Sequence, residues 1–333
     1  MSITRRTALL GFSGLAGLAL AAPAVRAQTP DRMTYLYPAP GNLPAFAPFA
    51  LARHRGYYQA ENLEIAWQTG RGGVDVATQL AAGNAQLGGG IGDTSIIVRA
   101  QDAPVRGVAL LGGRTLTQVY ARRDANIRTL ADLRGKRIGV LAFQDTTFFN
   151  LLGVLRSQNL RREDANIQAV GAAGMIQLMI AGTLDAICGV PEWAAGIEAA
   201  NVPLDMFNID AVFPAMAQAI MASDEMIARR PETIRRFVRA TLRGVEDIKA
   251  DPAAMARLYT QAVPEHAGRE AGIENIMRRY VQLVYSTDAG ATLGRFDEAR
   301  MSRVQAFYVE NQIVQRAVPI RDTCTTDFVA ARS

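Results

Sequence analysis

The chain has 333 residues, 49% of them hydrophobic and 20% charged, the composition of an ordinary globular protein with one large or two medium domains. Its formal charge of +5 includes Arg5, Arg6 and Arg26 from an acid-free leader, so the remainder carries +2 and no basic stripe suited to nucleic acid. Two cysteines, Cys188 and Cys324, are too few for a disulfide scaffold and show no metal spacing; they either pair in an oxidising compartment or stay as buried free thiols, the expected state.

Residues 1–27 read as an export signal. Arg5-Arg6 precede an apolar stretch from Leu9 to Ala22, and Val25-Arg26-Ala27 offers a cleavage site before Gln28. The arginine pair points to the twin-arginine route, with an ordinary secretory signal as the alternative; both lead to the periplasm. No later stretch is apolar enough to span a bilayer, so the mature protein is expected to be soluble. A strand is predicted over Met33–Tyr37, a helix over Pro44–Tyr58, a strand over Leu63–Trp67 and a helix over Val74–Ala82. Gln86–Gly88 is the next strand, followed by a helix from Thr94 to Gln101 with Asp93 as its N-cap, and by a strand over Val105–Leu111. Glycine follows each strand, which is the pattern of a parallel α/β sheet.

The theme then restarts. Strands are predicted at Val119–Arg122, Lys136–Leu141, Ile167–Val170, Ala186–Cys188 and Leu204–Phe207, with helices at Phe148–Ser157, Met175–Ala181 and Glu192–Ala200 between them. Met216–Ala222 reads as a last strand. Beyond it, Pro231–Ala250, Pro252–Val263, Ile273–Val284 and Glu298–Asn311 all read as helices. Two α/β halves followed by a helical tail favour two lobes, with a ligand cleft where they meet.

Several chemistries lack their residues. There is no G-x-x-x-x-G-K-[ST], and the glycines of Gly70–Asp75 and Gly88–Asp93 only begin a dinucleotide fingerprint. His54 and His266 are the only histidines, without an H-E-x-x-H, so a metal is not expected. No G-x-S-x-G elbow is present.

Four stretches carry a resemblance: Pro48–Asn62 (PFALARHRGYYQAEN), Val76–Asp93 (VATQLAAGNAQLGGGIGD), Leu130–Val140 (LADLRGKRIGV) and Ile220–Phe237 (IMASDEMIARRPETIRRF). Their order resembles the periplasmic solute-binding proteins of ABC importers, in the branch that binds sulfonates, nitrate, taurine and thiamine-type pyrimidines. The resemblance implies a two-lobed α/β fold of the type II periplasmic kind, with a hinge and with the helical tail packed mainly on the first lobe. It implies segments 28–116 and 219–333 for the first lobe and tail, and 117–218 for the second lobe. The backbone crossings would lie near Arg114–Tyr120 and Pro214–Ala222. It further implies a non-catalytic, cofactor-free monomer that delivers a small molecule to a membrane permease and its ATPase. Alternatives are an enzyme of the same fold that makes a pyrimidine precursor, which supplies its own histidine as substrate, and a periplasmic sensor partner.

In open α/β lobes, ligands sit beyond the carboxyl ends of strands, where helix N-termini present free N–H groups. The loops that meet this description contain Asn42, Arg71, Gly92, Asp93 and Thr94 in the first lobe, and Gln144, Thr146 and Thr147 in the second. Thr146 and Thr147 also suit plain N-capping, and Gly92 a turn. Arg71 and Arg114 carry the planar fork that pairs with a carboxylate or sulfonate, or else are solvated charges. Glu192 and Trp193 begin a helix, where an acid could accept from an amino-pyrimidine and an indole could stack on a ring. A sulfonate- or carboxylate-type anion and an aromatic or pyrimidine compound are thus the rival ligands.

Overall fold

The computed structural model describes residues 29–330; the expected leader lies outside them. Among the described residues, the strands β1 (Asp31–Tyr37), β2 (Leu63–Thr69), β3 (Leu87–Ile91), β4 (Val105–Leu110) and β10 (Gln218–Ser223) form one sheet. Strands β5 (Gln118–Arg122), β6 (Arg137–Val140), β7 (Asn166–Ala169), β8 (Ala186–Gly189) and β9 (Leu204–Phe207) form the other. The orders are β2-β1-β3-β10-β4 and β7-β6-β8-β5-β9. In each sheet the strand that enters straight from the other lobe runs antiparallel, β10 between β3 and β4, and β5 between β8 and β9. The remaining recorded pairs are parallel, which buries both sheet faces under helices.

The chain passes between the sheets after Leu110 and again after Phe207. The second passage ends at Ala217, earlier than the stretch expected around Pro214–Ala222, because Gln218–Ser223 is already a sheet strand. The two crossings run side by side: Leu111 N donates to Gln218 O (2.8 Å) and Leu116 N to Met216 O (3.1 Å). Paired crossings of this kind let two lobes rotate about a narrow waist.

The tail packs mainly on the first lobe. Helix Pro231–Ala250 turns Ile234, Phe237, Val238, Val245 and Ile248 inward at helical spacing. Phe237 stacks on Tyr35 at 5.2 Å, beside Phe49 of helix Ala47–His54. Those two helices touch backbone to backbone at Gly244, where an added Cβ would fall on the Pro48 carbonyl. Gly244→Ala is therefore expected to destabilise by about 1–3 kcal/mol through overpacking, read as a lower denaturation midpoint with an unchanged urea slope.

The tail helix Glu270–Tyr280 widens at its end into a π-turn over Val281–Tyr285. Its freed carbonyls reach the first crossing: Arg114 N donates to Val284 O (3.2 Å) and Gly113 N to Ser286 O (3.2 Å). Cys188 lies in β8 of the second lobe and Cys324 beside β4 of the first; both are buried free thiols.

Candidate functional site

Strands β1, β2 and β3 are parallel, so their following loops share one edge of the first lobe. The loops interlock. Gly70 N donates to Tyr37 O and Gly72 N to Pro38 O, each at 2.8 Å. Gly73 is closely packed: a Cβ would stand 3.0 Å from Thr94 Oγ1 and 3.2 Å from Gly90 Cα. At the centre of this edge Gly92, Asp93 and Thr94 are all buried.

Asp93 is not the side-chain cap that the sequence suggests. Ser95 Oγ instead donates to Gly92 O (2.9 Å), while the Asp93 carboxylate turns to the tail and accepts from Tyr308 Oη (2.5 Å) through Oδ2. Its Oδ1 is buried without a partner. Burial pushes the Asp93 pKa up to about 6; the Asp145 carboxylate acts in the same direction and the Tyr308 hydrogen bond opposes both.

The facing edge belongs to the second lobe. Asp145 caps helix Thr146–Ser157 by accepting from Thr147 N (2.8 Å), so the capping role falls one residue before Thr146. Thr147 Oγ1 accepts from Leu141 N (3.3 Å), and both threonines are buried. Burial also raises the Asp145 pKa. Asp145 was not singled out from sequence, although an acid ahead of Thr-Thr and an apolar run is an N-cap signal. Further along the same helix, buried Asn150 donates to Thr117 Oγ1 (2.8 Å) and leaves its Oδ1 unpartnered.

Between β8 and helix Pro191–Glu198 the two lobes touch. Trp193 packs against the cores of both lobes, and Gly189 makes room for the indole, since a Cβ there would lie 2.7 Å from Trp193 Cε3. Glu192 accepts a hydrogen bond from Tyr280 of the tail, and Glu198, at the far end of the same helix, pairs with Arg279. Burial lifts the Glu192 pKa to about 7 against the lowering effect of that tyrosine.

The remaining candidates lie apart from this group. Arg114 is engaged by Asp210 (3.2 Å) and Asp288 (2.5 Å) at the first crossing. Arg71 is exposed, with its backbone N donating to Asp75 Oδ2 (2.9 Å). Asn42 is exposed and its carbonyl binds Tyr259 Oη (2.6 Å) and His266 Nε2 (2.8 Å). Gln144 is exposed at the loop tip. The structure thus gathers Gly92, Asp93 and Thr94 on one edge, Thr146 and Thr147 with Asp145 on the other, and Glu192 and Trp193 at the lobe contact. Sequence reasoning missed Tyr280 and Tyr308, which reach the site from the tail. Among the described residues no cluster of His, Cys, Asp or Glu has the arrangement of a metal site.

A family described as "NMT1/THI5 like" matches residues 43–255. The chain is 26% identical over 294 residues to the riboflavin-binding protein RibY of Chloroflexus aurantiacus, covering 86% of this chain and 83% of that one. It is 23% identical over 235 residues to the 4-amino-5-hydroxymethyl-2-methylpyrimidine phosphate synthase of Aspergillus parasiticus, covering 66% and 68%. In structure it is similar to the alkanesulfonate-binding protein SsuA from Xanthomonas axonopodis pv. citri bound to MOPS, with a TM-score of 0.69 at 16% identity over 90% of this chain and 100% of that one. The shared fold is the two-lobed type II architecture.

Proposed function

The chain belongs to the NMT1/THI5-like family, and from that premise we propose that it is the solute-capturing component of an ABC importer, exported to the periplasm. The observation that carries this reading is the placing of helix starts from two lobes, with Asp93, Thr94, Thr146 and Thr147 buried and Asp145 half-buried as a cap, beside paired crossings. Ligand touches both edges only when the lobes close, so binding shifts the population towards the closed form that a permease recognises.

A planar ring suits the site better than a simple anion. Trp193, half-buried at the lobe contact, offers an indole face, and Glu192 accepts from Tyr280 through one oxygen only, whereas Arg114 is held by two carboxylates and Arg71 stands exposed. The names of the relatives point the same way, since riboflavin and pyrimidines are flat heteroaromatic rings. The synthase alternative needs a histidine offered as a reactant. His54 stands exposed on its helix, and His266 stacks on Tyr259 at 5.5 Å and binds the Asn42 carbonyl.

A thermal-shift series with riboflavin, 4-amino-5-hydroxymethyl-2-methylpyrimidine and MOPS tests the proposal. A true ligand at 100-fold its dissociation constant is expected to stabilise by about 2.7 kcal/mol. Trp193→Ala is expected to weaken a planar ligand by about tenfold, the scale of one aromatic contact. Absence of any shift, together with product appearing from a candidate substrate, would overturn the binding-protein reading in favour of catalysis.

A further inference from the structure

We propose that the floor of the cleft is an acceptor cradle for a cationic N–H group, such as an amidinium or guanidinium carried on a planar ligand, and that it disfavours sulfonates and carboxylates. This rests on the solute-binding reading and adds the charge of what is bound.

Asp93 and Asp145 come from opposite lobes onto one tail residue: Tyr308 donates to the Asp93 carboxylate, and its ring packs on Phe149 (5.9 Å), one turn along the helix that Asp145 caps. No guanidinium bonds either carboxylate: Arg300, whose charge reaches Asp93, is bound to Asp210, to Thr115 and to the carbonyls of Gly113 and Ala215, Arg114 is held by Asp210 and Asp288, and Asp145 accepts from Thr147 N at its helix start. Asp93 Oδ1 is buried with no donor, and an open carboxylate oxygen can only accept when ionised.

Two amides adjoin the Asp93 loop and the crossings. Gly92 N donates to Ala217 O (2.9 Å), which joins the Asp93 loop to the start of β10, and there Gln218 keeps Oε1 buried and unpartnered. Asn150, tied to Thr117 at the end of the first crossing, keeps Oδ1 unpartnered as well. Unmade hydrogen bonds at buried groups are costly, so an arrangement that leaves one Asp93 oxygen and two amide oxygens open is matched by a ligand with several donors. An amidinium supplies converging N–H groups and one positive charge. A sulfonate would add a third negative charge and no donor.

The test is calorimetric binding at pH 7.5 of benzamidine, benzenesulfonate and benzoate, which share one ring and differ in the charged group. Benzamidine is expected to bind at least tenfold more tightly than either anion, and Asp93→Asn to weaken it by tenfold or more. Gln218→Met provides a second variant that leaves both carboxylates in place, with an expected loss of about threefold, comparable to one neutral hydrogen bond. Preferential binding of an anion, or a benzamidine affinity untouched by both variants, overturns the cradle and leaves the solute-binding reading standing. Failure of all three probes and of the planar panel above overturns both.

Discussion

Arg300→Met is expected to lower the melting temperature by about 6–12 °C. Arg300 extends from the last long tail helix, Glu298–Glu310, and is itself buried. Its guanidinium donates to Ala215 O (2.8 Å) in the second crossing and to Gly113 O (3.2 Å) and Thr115 Oγ1 (2.9 Å) in the first, and it pairs with Asp210. Burial alone would raise the Asp210 pKa, yet Arg300 and the donors of Thr115 hold it below the usual carboxylate range. Removing the guanidinium leaves this carboxylate and two crossing carbonyls short of partners, a loss of about 3 kcal/mol because Arg114 still serves the second Asp210 oxygen. At this chain length that converts to about 2–4 °C per kcal/mol lost. Adding Asp210→Asn to the variant should recover part of the loss, since no uncompensated charge then remains. A shift below 2 °C in scanning calorimetry would show that the network does not hold the hinge.

The second expected result concerns pH. Glu192, at the contact between lobe and tail, has its folded pKa lifted to about 7. A carboxyl raised in this way binds its proton more tightly when folded, so its contribution is complete below the unfolded value near 4.5 and is lost as pH rises through about 7. With some solvent still reaching the residue, the loss between pH 5 and pH 8 is about 2 kcal/mol. Glu192→Gln keeps the acceptor for Tyr280 and removes the titration. Its melting temperature should match the unmodified protein at pH 5 and exceed it by several degrees at pH 8. Parallel pH profiles for the two proteins would show that the Glu192 carboxyl stays solvated.

Most strands were legible because burial on both faces writes continuous apolar runs into the sequence, as at Met33–Tyr37 and Val105–Leu111. The same runs located the strand-end loops, and with them Gly92, Asp93, Thr94, Thr146 and Thr147. What Asp93 does was not legible. A short acid ahead of a helix suggests a cap, and nothing local reveals Tyr308, which lies 215 positions away and turns the carboxylate aside. Glu192 has the same history with Tyr280, 88 positions on. Arg114 looked free for an anion because Asp210 and Asp288, 96 and 174 positions away, leave no mark near it. Periodicity reports which face of an element is buried; it is silent on which distant polar groups meet there.

The position of β10 between β3 and β4 governs the order in which the chain can complete itself. Residues 118–207 contain all five strands of the second sheet, so that lobe can form as soon as its own segment is free. The first sheet has no such independence. Until the chain reaches Ser223, β3 and β4 lack the strand that joins them, and each keeps an unpaired edge. The lobe that starts first therefore finishes last, and its closure waits on a contact that spans more than a hundred residues, the kind of non-local pairing that slows folding and prolongs exposure to aggregation.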